Sequence, residues 1–174
     1  MRKGVATTAI LIALAVAVGM LVLPVPNVEG VSAVSFFSGY LAGWRTGGLV
    51  GGAAMLLRSL ANPLGPAPPP VLLAQVAGMA VVGSSGFLLR KLGPTRARTG
   101  LWAAVSGAVV TLLYDALTNY GVAVSMGRWS NPAVVMLAGV PFAAIHVAAN
   151  AMIFGAVAAV VARKHWSGME EKDE

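Results

Sequence analysis

The chain has no cysteine, so disulfides, thiolate metal sites and cysteine nucleophiles are all excluded. Charge is nearly as scarce. Only 10% of the residues are charged, against roughly 25% in soluble domains, while 57% are hydrophobic and mean hydropathy is +0.80. A surface that poor in charge cannot face water, so the bilayer is the expected solvent and one compact membrane domain the expected unit. There is no Walker stretch, so any ATP hydrolysis belongs to other subunits. No internal repeat of the kind many secondary transporters carry is visible. No ligand cluster suits a metal, and no cofactor is expected. The net charge of +6 does not point to nucleic acid, because the basic residues sit in short clusters at the ends of apolar runs. In membrane proteins that pattern reports orientation.

What is present is a series of apolar runs. They predict an all-α integral membrane protein, a bundle of six transmembrane helices near residues 5–23, 27–44, 46–60, 71–89, 100–118 and 139–163. The domain covers 1–166, and 167–174 form a polar cytoplasmic tail. The first run can also be read as a cleaved signal peptide, although it exceeds the usual apolar core of about 7–15 residues. With the N-terminus inside, the outward loops keep only Arg58 and Arg128 of the 12 basic residues. Both termini are therefore expected in the cytoplasm, with the chain in the cell (inner) membrane.

The stretch Arg58–Gln75, RSLANPLGPAPPPVLLAQ, interrupts this pattern. Its five prolines lack the amide hydrogen a helix needs, and each restricts the residue before it. A stiff hairpin that roofs a solute site is expected. Placing each residue by depth puts the strongly polar groups in the outward half: Arg58, Asn62, Gln75, Tyr114, Asp115, Asn119, His146 and Asn150. Asp115 and Asn119 share a helix face, as do His146 and Asn150. The inward half offers little beyond serines and Thr111. A channel needs polar lining throughout its depth; a polar cup over a dry floor captures a solute instead. Alternatives stay open for individual residues. Arg58 and Asp115 can neutralise one another, His146 can be a packing residue, and Glu29 can be only a helix-end carboxylate. Trp129, Tyr40 and Tyr120 can stack on a ring or mark the bilayer interface. Gly39, Gly43, Gly47 and Gly51 can form a sliding face or simply pack tightly. Ala9, Ala13 and Ala17 line one face of the first helix and allow close approach by another helix.

Three stretches, LANPLGPAPPPVLLAQ (Leu60–Gln75), LLYDALTN (Leu112–Asn119) and PFAAIHVAAN (Pro141–Asn150), together resemble the substrate-binding S component of energy-coupling factor (ECF) vitamin transporters. The resemblance covers essentially the whole chain. It implies capture of a water-soluble vitamin or related micronutrient from outside, with loops 24–30, 61–70 and 119–131 closing over it. It also implies docking of Ala9, Ala13 and Ala17 on a membrane coupling (T) subunit driven by two cytoplasmic ATPase subunits, and toppling of the whole protein to deliver the ligand. The expected polypeptide is not an enzyme. Two other functions fit the residues: a membrane assembly or structural subunit, and an intramembrane enzyme using Asp115 and His146 as an acid/base pair.

Overall fold

The structure, a computed structural model, describes residues 2–93 and 95–170. Six helices follow one another: α1 (Arg2–Leu21), α2 (Gly30–Ala42), α3 (Trp44–Leu60), α4 (Pro69–Leu92), α5 (Arg96–Ser125) and α6 (Ala133–Glu170). No strand occurs among the described residues. Four of these helices contain apolar stretches long enough to cross a membrane, in α1, α4, α5 and α6. Helices α2 and α3 have 13 and 17 residues, short of the roughly 20 that cross the hydrocarbon core. They form a helical hairpin broken at Gly43, whose φ of 96° is a backbone state that favours glycine.

Helices α2 and α4 hold the centre. Helix α4 packs on α2, α3 and α5, while α1 packs on α2 and α3 and α6 pairs with α5. Small residues make this possible. A Cβ at Gly83 of α4 would run into the backbone carbonyl of Gly47 in α3, and one at Gly39 or Gly47 would run into that of Gly83. The four-residue glycine spacing is therefore tight packing inside the bundle, with Gly43 as the break between two helices. Ser32, Ser35 and Ser38 all point into the protein.

Several expected boundaries shift, each for a local reason. Pro69 and Pro70 do not belong to the hairpin but open α4. The first turn of a helix has amide hydrogens without partners, so proline costs nothing there. Helix α5 does not stop at 118, and most of the expected loop 119–131 is helical. Gly121 lies inside α5, where it lets the helix approach Pro70 and Ala74 at the start of α4. The true stop is Gly127 at φ 68°. There the Gly127 amide donates to Val124 and the Arg128 amide to Ala123, the two bonds that close a left-handed helix end. Helix α6 starts at Ala133, six residues before 139, so Pro141 is inside it and withdraws one backbone bond. It also continues to Glu170, into the expected tail, of which 171–174 lie outside the described residues.

Candidate functional site

The end of the bundle where α1, α3 and α5 finish and α2, α4 and α6 begin holds a cavity of about 260 Å³. Its wall comes from the α1–α2 loop, Val22–Glu29, together with Arg58, Gln75, Tyr114, Asp115, Thr118 and His146. The α1–α2 loop is built from successive turns, with the Val25 amide on the Val22 carbonyl and the Val28 amide on the Val25 carbonyl. Asn27 turns it at φ 57°, a conformation asparagine tolerates better than most residues.

The proline hairpin does not roof this cavity. Between Arg58 and Gln75 it supplies no lining residue. It is held to itself instead: the Asn62 side chain accepts from the Leu64 amide at 2.9 Å, and Ser59 Oγ accepts from the Ala67 amide at 3.3 Å. Asn62 is thus a turn residue away from the cavity. Asn119 is also away from it, its amide packed where a side chain on Gly139 would stand. Trp129 and Tyr120 are exposed and Tyr40 is buried beside Phe37; none lines the cavity.

Sequence reasoning underrated Glu29, which sits in the middle of the polar network. It caps α2 without a side-chain bond to the helix backbone. Its carboxylate accepts from Ser32 Oγ at 3.0 Å and pairs with Arg58 Nη1 at 3.6 Å. Arg58 reaches it by lying across α1, where Gly19 has no side chain to obstruct it and offers its carbonyl to Nε at 3.4 Å. Arg58 therefore pairs with Glu29 and not with Asp115, the partner the sequence left open for it. A usable signal was present: before the last five residues the chain has only two carboxylates, Glu29 and Asp115. Two ionisable groups retained in so apolar a chain deserved equal weight.

Asp115 bonds to His146 Nδ1 at 2.8 Å. On the far side of the ring, Asn150 Nδ2 lies 3.1 Å from His146 Nε2 and donates to Thr111 Oγ1 at 2.9 Å. His146 Nε2 also lies 3.9 Å from Glu29 Oε2, so the ring stands between the two carboxylates. Asn150 lies beneath the cavity and fixes the ring from below. Tyr114 stands edge-on to the ring, with centroids 6.1 Å apart, and its hydroxyl reaches Met55 Sδ at 4.0 Å. Thr118 Oγ1 donates to backbone carbonyls of its own helix, within 3.0 Å of Tyr114 and 3.2 Å of Asp115. Of the expected residues the structure gathers Arg58, Gln75, Tyr114, Asp115 and His146 around one cavity and sets Asn150 under it.

Below Thr111 and Asn150 the polar network ends. Phe36, Phe37 and Phe154 close the centre, with ring centroids 5.3, 4.8 and 6.0 Å apart. Phe36 and Phe154 are fully buried. The cavity therefore opens toward one end only. The Asp115–His146 contact has the geometry of an acid/base pair, but the only hydroxyls in the lining are those of Tyr114 and Thr118, bonded as above. Among the described residues no group of three His, Cys, Asp or Glu side chains could hold a metal ion.

A bundle of apolar helices with a blind polar cavity at one end defines a membrane-embedded binding protein. Over residues 3–158 the chain matches the family described as ECF transporter, substrate-specific component, and it belongs to that family. Members of it are transporter subunits rather than enzymes. No curated protein and no solved structure matches the chain.

Proposed function

We propose that this chain is the capture subunit of an ECF-type importer, taking a water-soluble vitamin or related micronutrient from outside the cell. The observation that carries this reading is the blind cavity, polar at its mouth and sealed below by the phenylalanine cluster. A protein that conducts a solute through itself needs polar lining at every depth. One that reorients as a body, or hands its ligand to a partner, does not. The ligand contacts Gln75, Tyr114, Asp115, His146 and Glu29. Arg58 holds Glu29 in place, and the α1–α2 loop closes over the ligand.

Delivery requires a membrane coupling (T) subunit and two cytoplasmic ATPase subunits. Ala9, Ala13 and Ala17 are exposed along one face of α1, and that face docks on the coupling subunit. Small residues let two helix backbones come close in lipid, where packing drives association. The bias of basic residues supports both termini in the cytoplasm, the chain in the cell membrane and the cavity on its outer side.

The test is to purify the full chain in lipid nanodiscs, denature it and identify any released small molecule by mass spectrometry. Release of one molecule per chain is expected. Repeated recovery without a bound molecule, together with no response to added vitamins, favours the structural-subunit reading. Replacing Ala13 by Trp should leave the bound molecule in place and abolish co-purification with the coupling subunit.

A further inference from the structure

The cavity carries an imbalance that selects among ligands. Its lining holds two carboxylates, Glu29 and Asp115, and one guanidinium, Arg58. His146 bonds Asp115 through Nδ1, and its Nε2 lies 3.1 Å from Asn150 Nδ2 and 3.9 Å from Glu29 Oε2. Setting that imidazole aside, the carboxylates in the lining outnumber the guanidinium two to one. Arg58 is also already engaged, by Glu29 and by the Gly19 carbonyl. An incoming carboxylate or phosphate would have to compete with Glu29 for it. What the site has in surplus is acceptors. Asp115 Oδ2 is buried without a hydrogen-bond partner. Such an atom is costly when left unmade, and a donor from the ligand removes the cost. An anionic ligand would instead add a third negative charge to a site surrounded by hydrocarbon.

The geometry points to a small heterocycle that is positively charged at neutral pH, through an amine or a ring nitrogen, with N–H donors directed at Asp115 and Glu29. Its size follows from the cavity. At about 260 Å³ it falls just below the roughly 300–1,000 Å³ of pockets that hold drug-sized ligands, which suits one or two rings and not a macrocycle. The inference rests on the capture reading above and narrows it to one chemical class. Arg58 then acts as a positioning residue that keeps the Glu29 carboxylate over the cavity.

The test uses the full chain in nanodiscs, with two readouts. The first is the charge of the molecule released on denaturation, from mass spectrometry and electrophoretic mobility. The second is thermal stabilisation by probes of opposite charge: pyridoxamine against 4-pyridoxic acid, which share a ring, and thiamin against biotin and pantothenate. A released cation, or stabilisation by a cationic probe and not by the carboxylates, is expected. Glu29→Gln and Asp115→Asn should each weaken that binding about tenfold to a hundredfold, the range of one charge-assisted bond, while each variant still elutes as a single species. Release or binding of a carboxylate or phosphate, lost in Arg58→Gln, overturns the inference and leaves the capture reading intact. So does a cation whose affinity neither carboxylate variant changes. A chain that releases nothing and responds to no probe overturns the capture reading, and this inference with it.

Discussion

The two ends of the bundle are made of the same helices but held together differently. At the cavity end, Glu29, Arg58, Asp115, His146, Asn150 and Thr111 are linked by hydrogen bonds and ion pairs between side chains on four elements. Below it, Phe36, Phe37, Phe154, Met79 and Leu89 fill the centre by contact alone. Contact packing tolerates no void, since an interior at crystal-like density loses attraction wherever an atom is missing. Bonded networks tolerate a void but not an unpaired partner. The lower part is therefore suited to carry stability, and the upper part to hold a cavity that a ligand completes. Placing the cavity in the bonded half keeps the empty volume away from the packing that holds the helices together.

The comparison breaks most visibly at Phe154. Phe154→Ala should destabilise the protein by about 3–5 kcal/mol, because it leaves a large void against Phe36 and Gly107. Denaturant unfolding in detergent measures this. Ligand binding at temperatures where the variant remains folded should be retained. If Phe154→Ala removes binding while leaving stability unchanged, the division between the two halves is wrong.

His146→Ala tests the other half and should behave in the opposite way. It removes the ring between Asp115 and Asn150 and leaves polar groups on both sides without that partner. A loss of about 1–3 kcal/mol in stability is expected, smaller than for Phe154, with ligand binding abolished. Thermal unfolding with and without the ligand measures both effects in one experiment. His146→Gln should recover part of the stability, since an amide can still bond Asp115.

The contrast between the halves was legible in the sequence because depth along a helix follows from residue counting. Arg58 and Asp115 can be placed at similar height, and His146 deeper in the same outward half, from helix direction alone. Which of them pair cannot, because that depends on how each helix is rotated and on where a loop delivers Glu29. Arg58 turned out to face α1 across Gly19, a contact that no spacing within α3 encodes. Glycine was ambiguous for a related reason. Gly121 and Gly127 look alike as loop signals, yet the first packs inside α5 and the second ends it. The prolines misled because their number suggested importance for the site. Pro69 and Pro70 serve α4, and the rest shape a turn that contributes nothing to the lining.

That turn gives the smallest expected effect and the finest check on where the site ends. Asn62 looks like a binding residue by type and position, being an amide beside Arg58 at the mouth of the bundle. Its side chain instead accepts the Leu64 amide, while its own carbonyl takes the Gly65 amide. A single hydrogen bond of this kind in an exposed turn contributes about 0.5–1 kcal/mol. Asn62→Ala should therefore lower thermal stability slightly and leave ligand affinity within about twofold of the parent, a difference below roughly 0.5 kcal/mol. A tenfold loss of affinity would mean that the hairpin folds over the cavity when the ligand is bound. The proline-rich stretch would then close the site as a second wall opposite the α1–α2 loop.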